Sequence, residues 1–400
     1  MKTKLLISVS VILLMSSLSL YAQDKEGDGY EFNTVKRLDA TSVKNQYRSG
    51  TCWSFSGISL LESELLRKGK DAVDLSEMWI VRHAYSEKAE KYVRFHGNLN
   101  FGGGGAFHDV TNMIEKYGIV PEKVYEGLEY GTEKHVHGEF DAVLKGYVDQ
   151  VIKNRNDKIT PVWHEGFNGI LDTYLGEKPE RFTYKGKEYT PKSFADEYVD
   201  LEMDNYIELS SYTHHPFYEK FILEVPDNWA YDEVYNLPID ELIQVMDNAI
   251  MNGYTVAWAA DVSEKGFSWK NGVAIVPTKD IENMDNLERD KWADLSEEEK
   301  EERMYSFEKP VPEKEITQEM RQEAFNNWQT TDDHGMHITG IAEDQNGTKY
   351  YIVKNSWSDD GHVYDGYFYA SEAFVRYKTM DIMIHKEALP ENIAEKLELE

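Results

Sequence analysis

The chain contains one cysteine, Cys52. A single thiol cannot close an internal disulfide, so the fold must be held by a buried apolar core rather than by covalent staples. At 400 residues with 41% hydrophobic composition the chain can build one, as two domains or as a single two-lobed unit. Cys52 follows the turn-like Arg48-Ser49-Gly50-Thr51 and opens a run in which Phe55, Ile58, Leu61, Leu65 and Leu66 recur at helical spacing, ending at Gly69. A cysteine placed there sits at a helix N-terminus, where the dipole and free N–H groups favour a thiolate. The alternative is a small buried hydrophobe, a common fate of free cysteine. Gln46, six residues upstream, carries a side-chain amide that could join the Cys52 N–H as a donor to a developing oxyanion.

The compartment bears on this choice. Residues 1–22 combine Lys2 and Lys4, an apolar run from Leu5 to Leu20, and Tyr21-Ala22 before a polar stretch. They read as a secretory signal peptide cut after Ala22. The run is short of the ~20 residues a membrane span needs. The expectation is an exported protein, periplasmic or extracellular, with no membrane attachment after cleavage. An odd thiol in an oxidising compartment is a liability unless it is buried or used. The formal charge of −30 argues against nucleic acid as a partner. Residues 23–42 are short and polar, leaving no room for a folded inhibitory prodomain.

Further along, Ser76 is placed to cap a helix carrying Met78, Trp79, Val81 and Tyr85. Gly102 to Gly105 lead into another helix closed by Gly118. No Lys-Ser or Lys-Thr follows these glycines, so a phosphate loop is disfavoured. Close backbone approach to an extended peptide, or a plain turn, remain. Tyr184 to Tyr189 reads as a tight hairpin, Lys220 to Val225 as a strand, Leu237 to Asn252 as an amphipathic helix and Thr255 to Ala260 as a buried strand. Residues 280–323 are densely charged and read as a solvated helical insertion. His135 with His137, and His214 with His215, lack a recognisable ligand pattern, so no metal and no cofactor is expected.

The last third supplies partners for the thiol. Asp332-Asp333-His334-Gly335-Met336-His337 leads into a strand, Asp344 to Thr348 makes a turn, and Lys349 to Ser356 returns. In such a hairpin His337 would stand beside Asn355. A nucleophilic thiol needs a base, and the base needs an orienting acceptor on its other nitrogen. Cys52, His337 and Asn355 could fill those roles, with His334 read as a structural histidine. The pairing predicts a thiolate at mildly acidic pH.

Gln46 through Ser54, the glycine loop, His337 and Asn355-Ser356-Trp357 together resemble the papain-like cysteine peptidases. Glu115-Lys116-Tyr117-Gly118-Ile119-Val120-Pro121 and the long insertion point to the bleomycin hydrolase and aminopeptidase C branch. The resemblance implies an α+β, papain-like two-lobed fold spanning residues 23–400. A helical lobe of roughly 44–235 would carry the cysteine, and a sheet-rich lobe of roughly 236–388 the histidine and asparagine. It further implies Cys52 as nucleophile, Gln46 as oxyanion donor, His337 as base and Asn355 as its orienter. Trp357 would cover the Asn–His bond, and Gly103, Gly104 and Gly105 would pair with the substrate backbone. Two departures are visible. Ser358 stands where the family often has glycine, and the end at Leu397 to Glu400 is expected to fall short of the arm that enforces aminopeptidase action in this branch. The expected activity is cleavage of peptides through a Cys52 thioacyl-enzyme, aminopeptidase before endopeptidase, with a non-catalytic peptide binder as the rival and a homo-oligomer left open.

Overall fold

The computed structural model describes residues 29–155, 158–278 and 295–399. Five helices, α1 (Cys52–Arg67), α2 (Glu77–Arg94), α3 (Phe107–Tyr117), α4 (Gly138–Ile152) and α5 (Trp163–Leu175), build the helical side. Helix α1 is its axis. Its apolar positions Ile58, Leu61 and Leu65 are fully buried, each stabilising the fold by roughly 1.5–3 kcal/mol. Helix α3 crosses so near that a Cβ on Gly57 would meet Val110 Cγ2 at 2.8 Å. The Ser76 hydroxyl accepts from Trp79 N at 3.0 Å, capping α2 as the sequence predicts.

The sheet side contains β1 (Phe32–Arg37), β4 (Tyr206–Ser210), β5 (Lys220–Ile222), β6 (Glu233–Asn236), β7 (Val256–Ala260), β8 (Phe267–Ser268), β9 (Val273–Ala274), β10 (His334–Asp344), β11 (Lys349–Lys354), β12 (Tyr367–Ser371) and β13 (Thr379–His385). They form one mixed sheet in the order β5-β6-β4-β13-β7-β10-β11-β12-β9-β8, with β1 pairing on β10. A separate hairpin of β2 (Phe182–Tyr184) and β3 (Lys187–Tyr189) turns at Lys185-Gly186, as predicted. Strand β10 is the centre of the sheet and lies directly against α1. Leu242 and Met246 of the helix Ile239–Met251 pack with Trp258, Ile338 and Phe368 in the second core.

The polar stretch before Ser42 includes β1, whose Phe32 stacks on Tyr369 with centroids 3.7 Å apart. Two expectations are revised. Strands β4 and β5 lie before residue 236, and β6 ends on it, yet all three hydrogen-bond into the large sheet, so the sheet begins earlier than the sequence boundary. Within the charged stretch, residues 280–294 lie outside the described residues, as does the signal-like segment 1–22. The helix Glu297–Met304 faces solvent, but the helix Gln318–Asn326 is docked: Arg321 is buried and its Nε donates to Ser211 O at 2.8 Å. Among the described residues no helix is long and apolar enough to cross a membrane.

Residues 44–50 tie the two sides together. Asn45 bridges to Trp357, and Gln46 N donates to Ser356 O at 2.9 Å. Lys44 Nζ reaches the other way, to Asp74 at 2.6 Å and Glu77 at 2.7 Å. Arg48 N donates to His135 O, and His137 N to Arg48 O, which gives both histidines a structural place.

Candidate active site

Cys52 is the first residue of α1 and remains partly exposed. It lines a cleft between the helical side and the start of β10, with Trp53, Gly105, His334 and Gly335 among its walls. Glycine is needed after His334 because a Cβ on residue 335 would stand 2.8 Å from Ser56 Oγ and 3.2 Å from Trp53 N. That contact brings β10 onto the first turn of α1. The Gly335 N–H donates toward the Cys52 sulfur.

The histidine beside this thiol is not the one read from the sequence. In a regular hairpin closed by Glu343 and Lys349, residue 337 would stand opposite 355. The register instead shifts between Ile338 and Gly340, and His337 pairs with Lys354. Successive residues of a strand point to opposite faces, so one bulged residue moves a side chain off its expected partner. His337 therefore faces α1, where Ser59 Oγ lies 2.9 Å from its Nδ1. It is fully buried, and desolvation, with Lys354 nearby, holds its imidazole well below the ordinary histidine range.

His334, three residues earlier and on the other face, takes the position instead. Its Nε2 lies 2.7 Å from Asn355 Oδ1, which also accepts from Ser356 N at 2.8 Å. An oxygen already accepting one N–H makes the His334 nitrogen the donor and leaves Nδ1 as the acceptor. Trp357 stacks on the His334 ring at 4.6 Å and 26°, covering that bond, and is itself held edge-on by Trp269 and Phe267. Gln46 is buried, and its Oε1 accepts from Ser356 Oγ at 2.6 Å. The amide is thereby oriented with its nitrogen free of that bond. Ser356 was not singled out in the sequence; its place between Asn355 and Trp357 was the available signal.

Desolvation pushes the Cys52 thiol up to about 12. The Gly335 and Trp53 N–H groups oppose that push, while Asp332 and Asp227 add to it. The His334 imidazole is pulled down to about 4, again by desolvation, against the bond to Asn355. Both shifts favour the uncharged forms of the thiol and the imidazole and so oppose the thiolate expected at mildly acidic pH.

Of the three glycines predicted to meet substrate, Gly105 lines the cleft. Gly103 O accepts from Trp53 Nε1 at 2.9 Å, and Gly104 O accepts from Lys88 Nζ. A Cβ on Gly103 would meet Ser49 O at 2.7 Å, so the loop is glycine-rich because it packs tightly against the segment preceding Cys52. Ser358 adopts φ 73°, the left-handed region that favours glycine. For metals, His214, His215 and Glu224 bring ligand atoms within 4.8 Å of one another. Both imidazoles already bond the Glu224 carboxylate at 2.9 Å on the surface.

A helical side presenting a thiol to a histidine and an asparagine carried by a sheet defines a papain-like cysteine peptidase of α+β class. The chain belongs to the Peptidase C1-like family, whose model matches residues 15–288 and 304–400. It is 23% identical to aminopeptidase C of Lactobacillus delbrueckii subsp. lactis over 398 residues, covering 89% of this chain and 82% of that one. It is also 23% identical to bleomycin hydrolase of Mus musculus over 424 aligned residues, covering 94% of this chain and 87% of that one. The crystal structure of PepW from Lactobacillus rhamnosis HN001 superposes with a TM-score of 0.68 at 19% identity, covering 92% of this chain and 84% of that one. The protein is thus a cysteine-type peptidase of the aminopeptidase C and bleomycin hydrolase type.

Proposed function

We propose that this chain is an exported aminopeptidase acting through a Cys52 thioester, with His334 rather than His337 as its base. The observation that carries the assignment is the His334 Nε2 bond to Asn355 Oδ1 beneath Trp357, on a ring that lines the same cleft as Cys52. As Cys52 Sγ attacks the peptide carbonyl, its proton passes to His334 Nδ1. The Gln46 amide and the Cys52 N–H receive the oxyanion. Asn355 Oδ1 holds the resulting imidazolium, which gives its proton to the departing amine as the C–N bond breaks. Water, deprotonated by His334, then opens the thioester, and the proton returns to sulfur. The substrate backbone runs past Gly105.

Aminopeptidase action is supported by the name of the bacterial relative, and export by the basic, apolar and small-residue pattern of residues 1–22. A fluorogenic peptide, hydrolysed under reducing conditions with its N-terminus free and then acetylated, tests the first, with Cys52→Ala as control. Cleavage of the free form alone is expected. Equal cleavage of both would make the protein an endopeptidase, and cleavage of neither would leave a peptide binder. N-terminal sequencing of the protein recovered from cell fractions tests the second: a start at Gln23 outside the cytoplasm is expected, and an intact Met1 inside it would overturn export.

A further inference from the structure

The adjacent His214 and His215 lack a third ligand in the sequence and acquire one in the fold. Both sit on the loop after β4, and Glu224 stands just past β5. The three ligand atoms lie within 4.8 Å of one another, and each imidazole Nε2 is 2.9 Å from a different oxygen of the Glu224 carboxylate. A tetrahedral ion with bonds near 2.0 Å holds its ligand atoms about 3.3 Å apart, so small side-chain rotations close this set around one. The surroundings hold it in place. Asn236, buried at the end of β6, donates from Nδ2 to the carbonyls of Tyr212, His215 and Pro216 at 2.7, 3.0 and 3.1 Å, and its Oδ1 accepts from Tyr212 N at 2.9 Å. The loop carrying both histidines is thereby fixed. His215 stacks on Phe221 with centroids 4.7 Å apart, and His214 on Phe325 at 5.6 Å. Gln322 of the helix Gln318–Asn326 straddles His214 Nδ1, with its Nε2 at 3.0 Å and its Oε1 at 3.3 Å. An amide there serves either tautomer, and when its oxygen accepts the Nδ1 proton the Nε2 lone pair is left for a metal.

We propose that His214, His215 and Glu224 form a structural site for Zn²⁺, separate from the catalytic residues. Two imidazoles and a carboxylate are a ligand set that Zn²⁺ takes, whereas Mg²⁺ and Ca²⁺ prefer oxygen alone. The three side chains are 30%, 33% and 53% exposed, which admits the ion from solvent and leaves its fourth position to water. As the ion binds it replaces the two imidazole–carboxylate hydrogen bonds, and the His214 ring proton shifts to Nδ1, onto Gln322 Oε1. Rings and loop that are held beforehand lose little freedom in the exchange. The ion then joins three segments: the loop after β4, the chain at Glu224 and, through Gln322, the helix Gln318–Asn326. Leu223 and Val225, on either side of Glu224, line the cleft beside Cys52, so this strut ends on the stretch that forms one cleft wall.

Untagged Cys52→Ala protein tests the site without the thiol, the chain's strongest competing metal ligand. Titration calorimetry with Zn²⁺ is expected to show a single saturable site per chain, and the thermal unfolding midpoint is expected to rise with Zn²⁺ concentration. A net charge of −30 draws any divalent cation diffusely, so Mg²⁺ at the same concentration and ionic strength is the control. His215→Ala and Glu224→Gln are each expected to weaken Zn²⁺ binding by at least about the tenfold to hundredfold that loss of an outer-shell partner costs. Co²⁺ gives a reading that needs no variant of the site: visible absorption of four-coordinate strength, abolished by one equivalent of Zn²⁺, is expected. The absence of saturable Zn²⁺ binding, equal binding by both variants, a Mg²⁺ response matching that of Zn²⁺, or a Co²⁺ spectrum identical to that of the free ion would each overturn the assignment.

Discussion

Substituting the two histidines of β10 in parallel separates the base from its neighbour three residues on. His334→Ala removes the group that takes the thiol proton, a contribution of about 10²- to 10⁴-fold. It also strands Asn355, whose 2.7 Å bond to the ring strengthens once the imidazole carries a proton. Hydrogen bonds to charged groups are worth about 1.5–3 kcal/mol, so Asn355→Ala alone is expected to cost about one to two decades in kcat with little change in KM. The two effects belong to one unit and will not add. His337→Ala removes a ring from a buried site, leaving Ser59 Oγ bonded to Lys354 Nζ at 2.8 Å but without its imidazole partner. The loss of that bond costs stability by about 1–3 kcal/mol and leaves kcat/KM within a few-fold. Steady-state hydrolysis and chemical denaturation of the same preparations give both numbers. An inactive, stably folded His337 variant beside an active His334 variant would refute the assignment.

Gln46→Ala is expected to lower kcat by about 10²- to 10³-fold through loss of an oxyanion donor, and Ser356→Ala by less, since it only frees the Gln46 amide held at 2.6 Å; equal rates for wild type and Gln46→Ala would remove Gln46 from the site. Ser358→Gly should raise unfolding free energy by about 1 kcal/mol by relieving a non-glycine φ of 73°, read as a higher denaturation midpoint at unchanged slope. Because Asp332 pushes the Cys52 thiol up, Asp332→Asn should move the pH profile of Cys52 alkylation to lower pH; a shift to higher pH would contradict the sign.

The thiol's setting was legible because it is local. A turn, a cysteine and a helical apolar period occupy consecutive residues, and α1 begins at Cys52. Asn355 and Trp357 were likewise readable as a short contiguous motif. The histidine was not, since its identity depends on the register of β10 against β11, and the shift between Ile338 and Gly340 leaves no mark in composition. Gly335 was the overlooked signal: a glycine directly after a histidine at a strand's start allows the strand to lie on a helix terminus. The carboxyl groups lining the cleft were invisible for a different reason. Glu208, Asp227, Asp332 and Asp381 are dispersed along the chain, and only the strand order of the sheet collects them. Arg321, inside a stretch read as solvated, is buried because its guanidinium satisfies the carbonyls of Ser211 and Arg376.

The segment from Lys44 to Cys52 works as a tie-bar. One end is anchored by Lys44 among the helical side's carboxylates, the middle is stitched to Ser356 and Trp357 through Gln46 and Asn45, and the far end is the nucleophile itself. A jaw that swung open would have to stretch this bar and pull the oxyanion donor from the thiol. The spacing of the two sides at the thiol is therefore set by this one stretch of backbone.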